Sequence, residues 1–183
     1  MTLTGQDDAG TDPLAGVDWA LWSVIYLKPD CLRRGLTQPV LAWISQVAAV
    51  SGVTEVTVTR VQIHAHYFDL FGRDEEIGAD IAAELDRMHT GQQAIVALAC
   101  APGAAPLLRA LIGPTDPAEG GPDTIRGRYG TDTRAAAQAQ RRLTDNLIHT
   151  SDDAEAAHRD FLIWYGPARA SLLTTPARKE TAL

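Results

Sequence analysis

A continuous apolar run near the start of the chain constrains its fold more than any other feature. Residues 21–27, LWSVIYL, carry no charge and stop at Lys28-Pro29-Asp30. A β-rich run without polar alternation predicts a strand that is buried on both faces. Residues 94–101, AIVALACA, predict a second strand of the same kind. The chain is therefore expected to form layers around a sheet.

The segments between these two strands predict one helix and one more strand. Apolar residues recur at helical spacing in residues 37–51, so we predict a helix there that Gly52 ends. Residues 53–59, VTEVTVT, alternate and predict a half-buried strand, whereas residues 60–71 fit either a continued strand or a short helix. Strands separated by helices predict an α/β or α+β fold.

The second half of the chain predicts a long loop followed by short elements. Five glycines and three prolines lie in residues 113–130, which predicts a loop of functional length. Residues 133–143 predict an exposed helix, and residues 147–149 predict a short strand. Ser151-Asp152-Asp153 then predicts the cap of a final amphipathic helix.

Composition narrows the class of protein and its partners. The 183 residues suit one domain, which we expect at residues 18–167, with a flexible tail at residues 1–17 and a polar C-terminal tail at residues 168–183. Sixteen basic against 23 acidic side chains give a net charge of −7, which argues against a nucleic-acid binder. No apolar run approaches the ~20 residues of a membrane span, and no secretory signal begins the chain. We therefore expect a cytoplasmic protein without a membrane partner.

A few polar residues form a pattern that fits phosphate chemistry. Thr115 and Arg126 in the glycine-rich loop, with Arg109 on the preceding helix, offer donors that match phosphate oxygens. A neutral imidazole at His149 is a competent nucleophile toward phosphorus. Ordinary structural roles fit the same residues: Lys28 as a solvated strand end, Arg126 pinning the loop, and His149 as a core histidine bonded to a carboxylate.

The order of several short motifs adds a family resemblance. From residue 21 to about 167 the chain resembles nucleoside diphosphate kinases, on the strings WSVIYLKPD, RRGL, HYFDL, MHTG, GPTDPAEGGPDTIRG and NLIHTSDDAEAA. The resemblance implies an α+β fold, a ferredoxin-like βαββαβ antiparallel sheet with helices on one face. It also implies a homo-oligomer, a dimer-based tetramer or hexamer.

The resemblance further implies roles for individual residues. His149 matches the histidine that becomes phosphorylated, and Tyr67 matches a tyrosine beside it, which favours a helix over residues 60–71. Asp152 matches an acid that is associated, through water, with Mg²⁺. The residues that match the nucleotide-binding groups are Lys28, Arg109, Thr115, Arg126 and Asn146, with Lys28 also near the transferring phosphate.

These matches imply a phosphotransferase. The γ-phosphoryl of a nucleoside triphosphate would pass through a phosphohistidine at His149 to a nucleoside diphosphate, either a common or an unusual one. The alternative is a catalytically weak or inactive family member that binds a nucleotide or a protein partner.

Several residues depart from the family pattern, and two of them, Asp160 and Thr150, support that alternative. Asp160 stands where the family has a glutamate that orients the histidine, so we expect Asp160→Glu to keep or raise activity. Thr150 replaces a glycine after His149, and residues 131–143 form an insertion. Residues 74–76, Asp-Glu-Glu, replace an aromatic platform for the base. Their carboxylates can instead accept hydrogen bonds from a guanine or cytosine edge, or from a modified base or sugar, and a solvated helix start without a ligand role fits them equally well. Structural roles are expected for the other histidines, His64, His66, His89 and His158.

Overall fold

A four-stranded antiparallel sheet forms the centre of the molecule, for which a computed structural model describes residues 12–175. The strands are β1 (Trp22–Leu27), β2 (Ala49–Thr57), β3 (Gln93–Cys100) and β4 (Ile148–Thr150). They lie in the order β2-β3-β1-β4, and each neighbouring pair is antiparallel. The predicted α+β class with a ferredoxin-like βαββαβ sheet is confirmed.

Helices connect the strands and follow the last one. In the described residues they are α1 (Pro29–Arg33), α2 (Thr37–Ile44), α3 (Arg60–His66), α4 (Asp74–Ile77), α5 (Ile81–His89), α6 (Ala104–Ile112), α7 (Ile125–Tyr129), α8 (Arg134–Ala139) and α9 (Ala154–Trp164). Short 3-10 helices lie at Trp19–Leu21, Phe68–Leu70, Pro117–Glu119 and Pro167–Leu172. Within the described part of the chain, no helix has the length and apolar character of a membrane span.

The helices cover both faces of the sheet, so the expectation of helices on one face is wrong. Ile25 and Leu27 of β1 face α2 and α6, whereas Val24 and Tyr26 face α3, α5 and α9. All six residues of β1 are buried, as the apolar run predicted. The physical reason is that successive strand side chains point to opposite faces, and here both sets are apolar.

The helix predicted over residues 37–51 is shorter than its periodicity indicates. Helix α2 ends at Ile44, and the chain enters β2 at Ala49, where it pairs with the end of β3. Gly52 therefore lies inside the strand, where its φ of +61° coincides with a break in the pairing register. A bulge of this kind favours glycine, which tolerates the left-handed conformation.

Helix α3 resolves the ambiguity of residues 60–71. Thr59 accepts a hydrogen bond from the backbone of Gln62, whose side chain bonds back to the backbone of Thr59. This capping box satisfies two unpaired donors and starts the helix at Arg60. The helical interpretation that the resemblance favoured is confirmed.

Two of the predicted tail segments pack on the domain. Residues 1–11 and 176–183 lie outside the described residues. Leu14 is buried against the cluster that covers one face of the sheet, and Leu172 and Leu173 pack on the same cluster. Apolar side chains within residues 12–17 and 168–173 therefore pack on the domain surface.

The insertion at residues 131–143 is a packed part of the domain. Helix α8 is shorter than predicted, and its Ala137 is buried. Arg142 forms a bidentate salt bridge with Asp132, in which its Nη2 lies 2.8 Å from Oδ1. The backbone N–H of Leu143 donates to Glu84 of α5 at 3.3 Å. These contacts fix the insertion against α5.

Candidate active site

Most of the predicted site residues meet at one cavity of about 400 Å³. The cavity lies where β1 ends and β4 begins, beside α6 and the glycine-rich loop. The predicted residues that line it are Lys28, Tyr67, Arg109, Thr115, Arg126, Asn146, His149 and Asp152. Asp160 is fully buried on α9 and does not line it.

Lys28 is a buried cation at the end of β1. Its Nζ donates to the side-chain oxygen of Asn146 at 2.7 Å, and the Asn146 amide donates to the carbonyl of Thr115 at 2.9 Å. Burial lowers the pKa of Lys28 to about 8, against an opposing effect of Asp30. A solvated strand end does not describe Lys28, which is 8% exposed.

Arg126 joins the loop to β4 from inside the cavity wall. Nη1 donates to the carbonyls of Gly113 and Pro114 at 3.0 and 3.2 Å. Nη2 donates to the backbone carbonyl of Ile148 at 2.6 Å, and Nε donates to the backbone carbonyl of Asn146 at 3.3 Å. A guanidinium has five N–H donors, so one is left for a ligand. The pinning role that the sequence left open is therefore present at a residue that also lines the cavity.

Arg109 has a different environment from Arg126. It stands in the last turn of α6 and forms an ion pair with Asp152, and both side chains are about half exposed. A phosphate entering the cavity would compete for this guanidinium with Asp152 rather than with backbone carbonyls. Arg109 is thus free to change partners, whereas Arg126 is held.

His149 lies at the centre of β4, opposite Tyr26 of β1. Its ring meets those of His66 and Tyr67 edge-on, with centroids 4.5 and 5.5 Å away. Burial lowers the pKa of His149 well below its usual value, and His66, Lys28 and nearby arginines act in the same direction. These effects favour the neutral imidazole, which is the nucleophilic form.

Asp160 contacts the neighbours of His149. Its Oδ2 accepts from the hydroxyl of Ser151 at 2.8 Å, and its Oδ1 lies 3.3 Å from Nδ1 of His66. Arg159 donates to the same Oδ1 at 3.4 Å. The Asp160 carboxylate, one methylene shorter than that of the family's glutamate, therefore contacts two neighbours of His149. It can position the His149 ring through His66 and through Ser151, the residue that follows β4.

His66, for which the sequence predicted only a structural role, lies beside His149. It is 2% exposed, its Nδ1 lies 3.2 Å from the indole N–H of Trp164, and its Nε2 has no partner within the described residues. The available signal was its place in HYFDL, directly before Tyr67. His66, His149 and Asp160 each bring a ligand atom within 4.8 Å of the others. Tetrahedral zinc at bonds of ~2.0–2.2 Å would need these atoms about 3.4 Å apart, so the trio as it stands is a polar cluster.

The acidic segment after Arg73 only partly meets the expectation for it. Asp74 accepts from the backbone of Ile81 at 3.0 Å, and Glu75 does not line the cavity. Glu76 does line it and forms a two-point salt bridge with Arg73, at 2.9 and 2.7 Å. Thr150, at the glycine position, is fully buried, and its hydroxyl has no partner in the described region.

The chain resembles known proteins over most of its length. The sequence model of the nucleoside diphosphate kinase family matches residues 22–170. Nucleoside diphosphate kinase of Streptomyces avermitilis is 30% identical over 145 residues, which are 78% of this chain and 94% of that protein. The Chloroflexus aurantiacus enzyme is 28% identical over 146 residues, or 79% and 87% of the two chains.

Solved structures agree with the fold. A nucleoside diphosphate kinase of Borrelia burgdorferi, solved as a transition-state mimic with vanadate and ADP, superposes with a TM-score of 0.72 and 22% identity. The alignment covers 79% of this chain and 86% of that one. The enzyme of Pyrobaculum aerophilum gives 0.69 and 24%, over 79% and 95% of the two chains.

The family match covers the sheet, the cavity and the helices around it. The chain therefore belongs to the nucleoside diphosphate kinase family, and it is an enzyme that transfers a phosphoryl group between nucleotides.

Proposed function

We propose that His149 carries the phosphoryl group between the two nucleotides. A nitrogen of the neutral imidazole attacks the γ-phosphorus, the bond to the β–γ bridging oxygen breaks, and the nucleoside diphosphate leaves. An acceptor diphosphate then attacks the phosphohistidine and takes the group, which regenerates His149. The observation that carries this proposal is a half-buried imidazole whose pKa is lowered in favour of the neutral form, and which shares one cavity with Lys28, Arg109 and Arg126.

The charge of the cavity supports a polyphosphate ligand. Although the chain has a net charge of −7, six lysine and arginine residues and only three acidic residues line the cavity. Positive groups concentrated in a cleft attract an anion even when the net charge is negative. They also stabilise the charge that spreads over the transferring phosphoryl group.

Lys28 and Tyr67 are further proposed donors on the same side of the cavity as His149. The Nζ of Lys28 lies 5.4 Å from the Tyr67 ring centre, and the Tyr67 hydroxyl is buried without a partner in the described region. Burial raises the pKa of Tyr67, so its hydroxyl stays protonated and can donate. We assign Lys28 and Asn146 to the sugar hydroxyls, and Thr115 to the phosphates beside the arginines.

Mg²⁺ is the proposed cofactor, and the donor set fits it. Asp152 offers a half-exposed carboxylate at the cavity, and oxygen is the ligand atom that Mg²⁺ prefers. A magnesium ion that arrives on nucleotide phosphates needs few protein ligands, and it would neutralise phosphate charge. Asp152 would hold such an ion through water, which requires it to release Arg109.

Labelling with γ-³²P ATP and Mg²⁺ tests the proposal. We expect label on the protein that is lost in acid and stable in base, as for a phosphoramidate. His149→Ala should abolish it, and His158→Ala, which removes a histidine outside the cavity, should retain it. Label that survives acid, or that persists in His149→Ala, would contradict the assignment. Nucleotide binding without any label would instead support the non-catalytic alternative.

A homo-oligomer is also proposed. Strand β2 lies at the edge of the sheet, and its Val53 is 51% exposed. An open edge with apolar side chains is a surface that a second copy can cover. Light scattering should give a mass of four or six chains, and a monomer would contradict the proposal. A cytoplasmic location, where nucleotides are made and used, fits this chemistry and stays a prediction.

A further inference from the structure

We propose that the insertion at residues 131–143 forms one wall of the nucleoside site, and that Arg134 together with Glu76 selects guanine by hydrogen bonds to the base edge. The inference rests on the proposed function, because it needs the phosphates to lie near His149 at the other end of the same cavity.

The cavity has two chemically different ends. At the inner end, His149, Lys28 and Arg126 surround the position proposed for the phosphates. A nucleoside attached to those phosphates must extend along the rest of the cavity. The side chains at the outer end come from two segments. Helix α4 with the residue before it contributes Arg73, Glu76 and Ile77, and the insertion with the residue that follows it contributes Arg134, Gln138, Arg142, Leu143 and Thr144. The insertion therefore touches the part of the ligand that differs between nucleotides.

Contacts within the insertion and with α4 hold its side chains in position to bind a ligand. Asp132 accepts from Arg142 and from the backbone N–H of Asp145, at 2.8 and 2.9 Å. Gln138 of α8 lies over Gly78, where an added Cβ would come within 4.0 Å of its Cγ. Ala137 is 1% exposed in the same helix. These contacts fix α8 beside α4, so a side chain from each can face one ligand.

The outer end offers hydrogen bonds in place of a stacking surface. The aromatic and imidazole rings that line the cavity in the described region are Tyr67, His89 and His149, on the inner part. Arg73 holds the Glu76 carboxylate by two hydrogen bonds, and each oxygen keeps a second lone pair. Arg73 is the main cause of the lowered pKa of Glu76, and the charge of Arg134, which lines the same end of the cavity, acts in the same direction. Among the described residues Arg134 forms no ion pair.

A donor beside an acceptor is complementary to guanine. Guanine presents acceptors at O6 and N7, which arginine matches, and it presents donors at N1 and at the exocyclic N2 amino group for a carboxylate. Adenine has a donor amino group where guanine has O6, so it would face the Arg134 guanidinium with the wrong polarity. Guanine nucleotides are therefore the acceptors that this wall fits best.

The test measures kcat/KM for GDP, IDP, ADP, CDP and UDP with ATP as donor. We expect GDP to exceed ADP by about tenfold or more, and IDP, which lacks the N2 amino group, to lie between them. Arg134→Ala should lower kcat/KM for GDP about tenfold and for ADP less than threefold. Arg128→Ala makes the same charge change outside the cavity, so it should leave the order of acceptors unchanged.

Two results would overturn the inference. One is a wild-type enzyme whose kcat/KM values for all five acceptors agree within threefold. The other is Arg134→Ala lowering all of them equally, which would indicate a general electrostatic effect. Either result with acid-labile label still forming on His149 removes only this inference, whereas loss of the label removes the proposed function. Arg134 is exposed on α8, so the variant is expected to fold, and its Tm should match that of the wild type.

Discussion

Arg109 and Arg126, the two arginines proposed to bind phosphate, are predicted to differ in how their removal changes stability and catalysis. Arg126 gives four N–H donors to backbone carbonyls of the loop and of β4, whereas Arg109 makes a half-exposed ion pair. Replacing each by alanine is therefore expected to separate stability from catalysis. Arg126→Ala should lose both, and Arg109→Ala should lose mainly catalysis.

The magnitudes follow from these contacts. A hydrogen bond with a charged donor contributes about 1.5–3 kcal/mol. If water in the cavity replaces two of the four hydrogen bonds of Arg126, Arg126→Ala lowers the unfolding free energy by roughly 3–6 kcal/mol. At about 2–4 °C per kcal/mol for a domain of this size, its Tm should fall by at least about 6 °C. Arg109→Ala removes an exposed pair of about 0–1 kcal/mol, so its Tm should fall by less than about 4 °C.

Calorimetry and steady-state kinetics test this contrast. Losing one preorganised donor costs about 10²–10³ in kcat, so Arg109→Ala should show that loss with a nearly unchanged Tm. Arg126→Lys is the matched control, because it keeps the charge and loses the four-carbonyl geometry. It should recover only part of the Tm. Equal Tm values for the two alanine variants would refute the reasoning.

Three further predictions concern the groups around His149. Asp160 is fully buried, so the added methylene of Asp160→Glu should cost about 1–3 kcal/mol in unfolding free energy and lower activity, contrary to the expectation from sequence alone. Denaturant titration and kcat measure both effects, and an unchanged variant would contradict this packing argument. The pH profile of kcat/KM should fall on the acid side only well below pH 6.5, because the pKa of His149 is lowered. It should also fall above about pH 8, where Lys28 of the unliganded enzyme loses its proton, and Lys28→Arg should remove this alkaline fall. His66→Phe should lower the rate of His149 phosphorylation about tenfold without changing KM for ATP, and a purely structural role would give a lower Tm with an unchanged rate.

Sequence reasoning worked best where local pattern and structure agree. The buried strands β1 and β3 are continuous apolar runs, and no other element type accommodates such runs so well at this length. The cavity residues were predictable because they lie in short motifs whose order is preserved along the chain. Eight of the nine residues proposed from those motifs line one cavity, from Lys28 to Asp152.

The predictions failed where contacts between distant segments decide the structure. Residues 49–52 continue the apolar spacing of α2, yet pairing with β3 makes them part of a strand. Leu14 and Leu172 look like tail residues, yet they pack on the same apolar cluster. His66 and Asp160 meet only because α3 and α9 pack together behind β4, so no local pattern could join them. Likewise, nothing in the loop sequence distinguishes Arg126, held by carbonyls, from Arg109.

The central claim is that His149 is the intermediate carrier, and isolated phosphoprotein tests it most directly. Protein labelled with γ-³²P ATP is freed of nucleotide and mixed rapidly with excess GDP. We predict that the label leaves His149 and appears in GTP at a rate no slower than kcat. Label that stays on the protein while steady-state transfer proceeds would contradict the account.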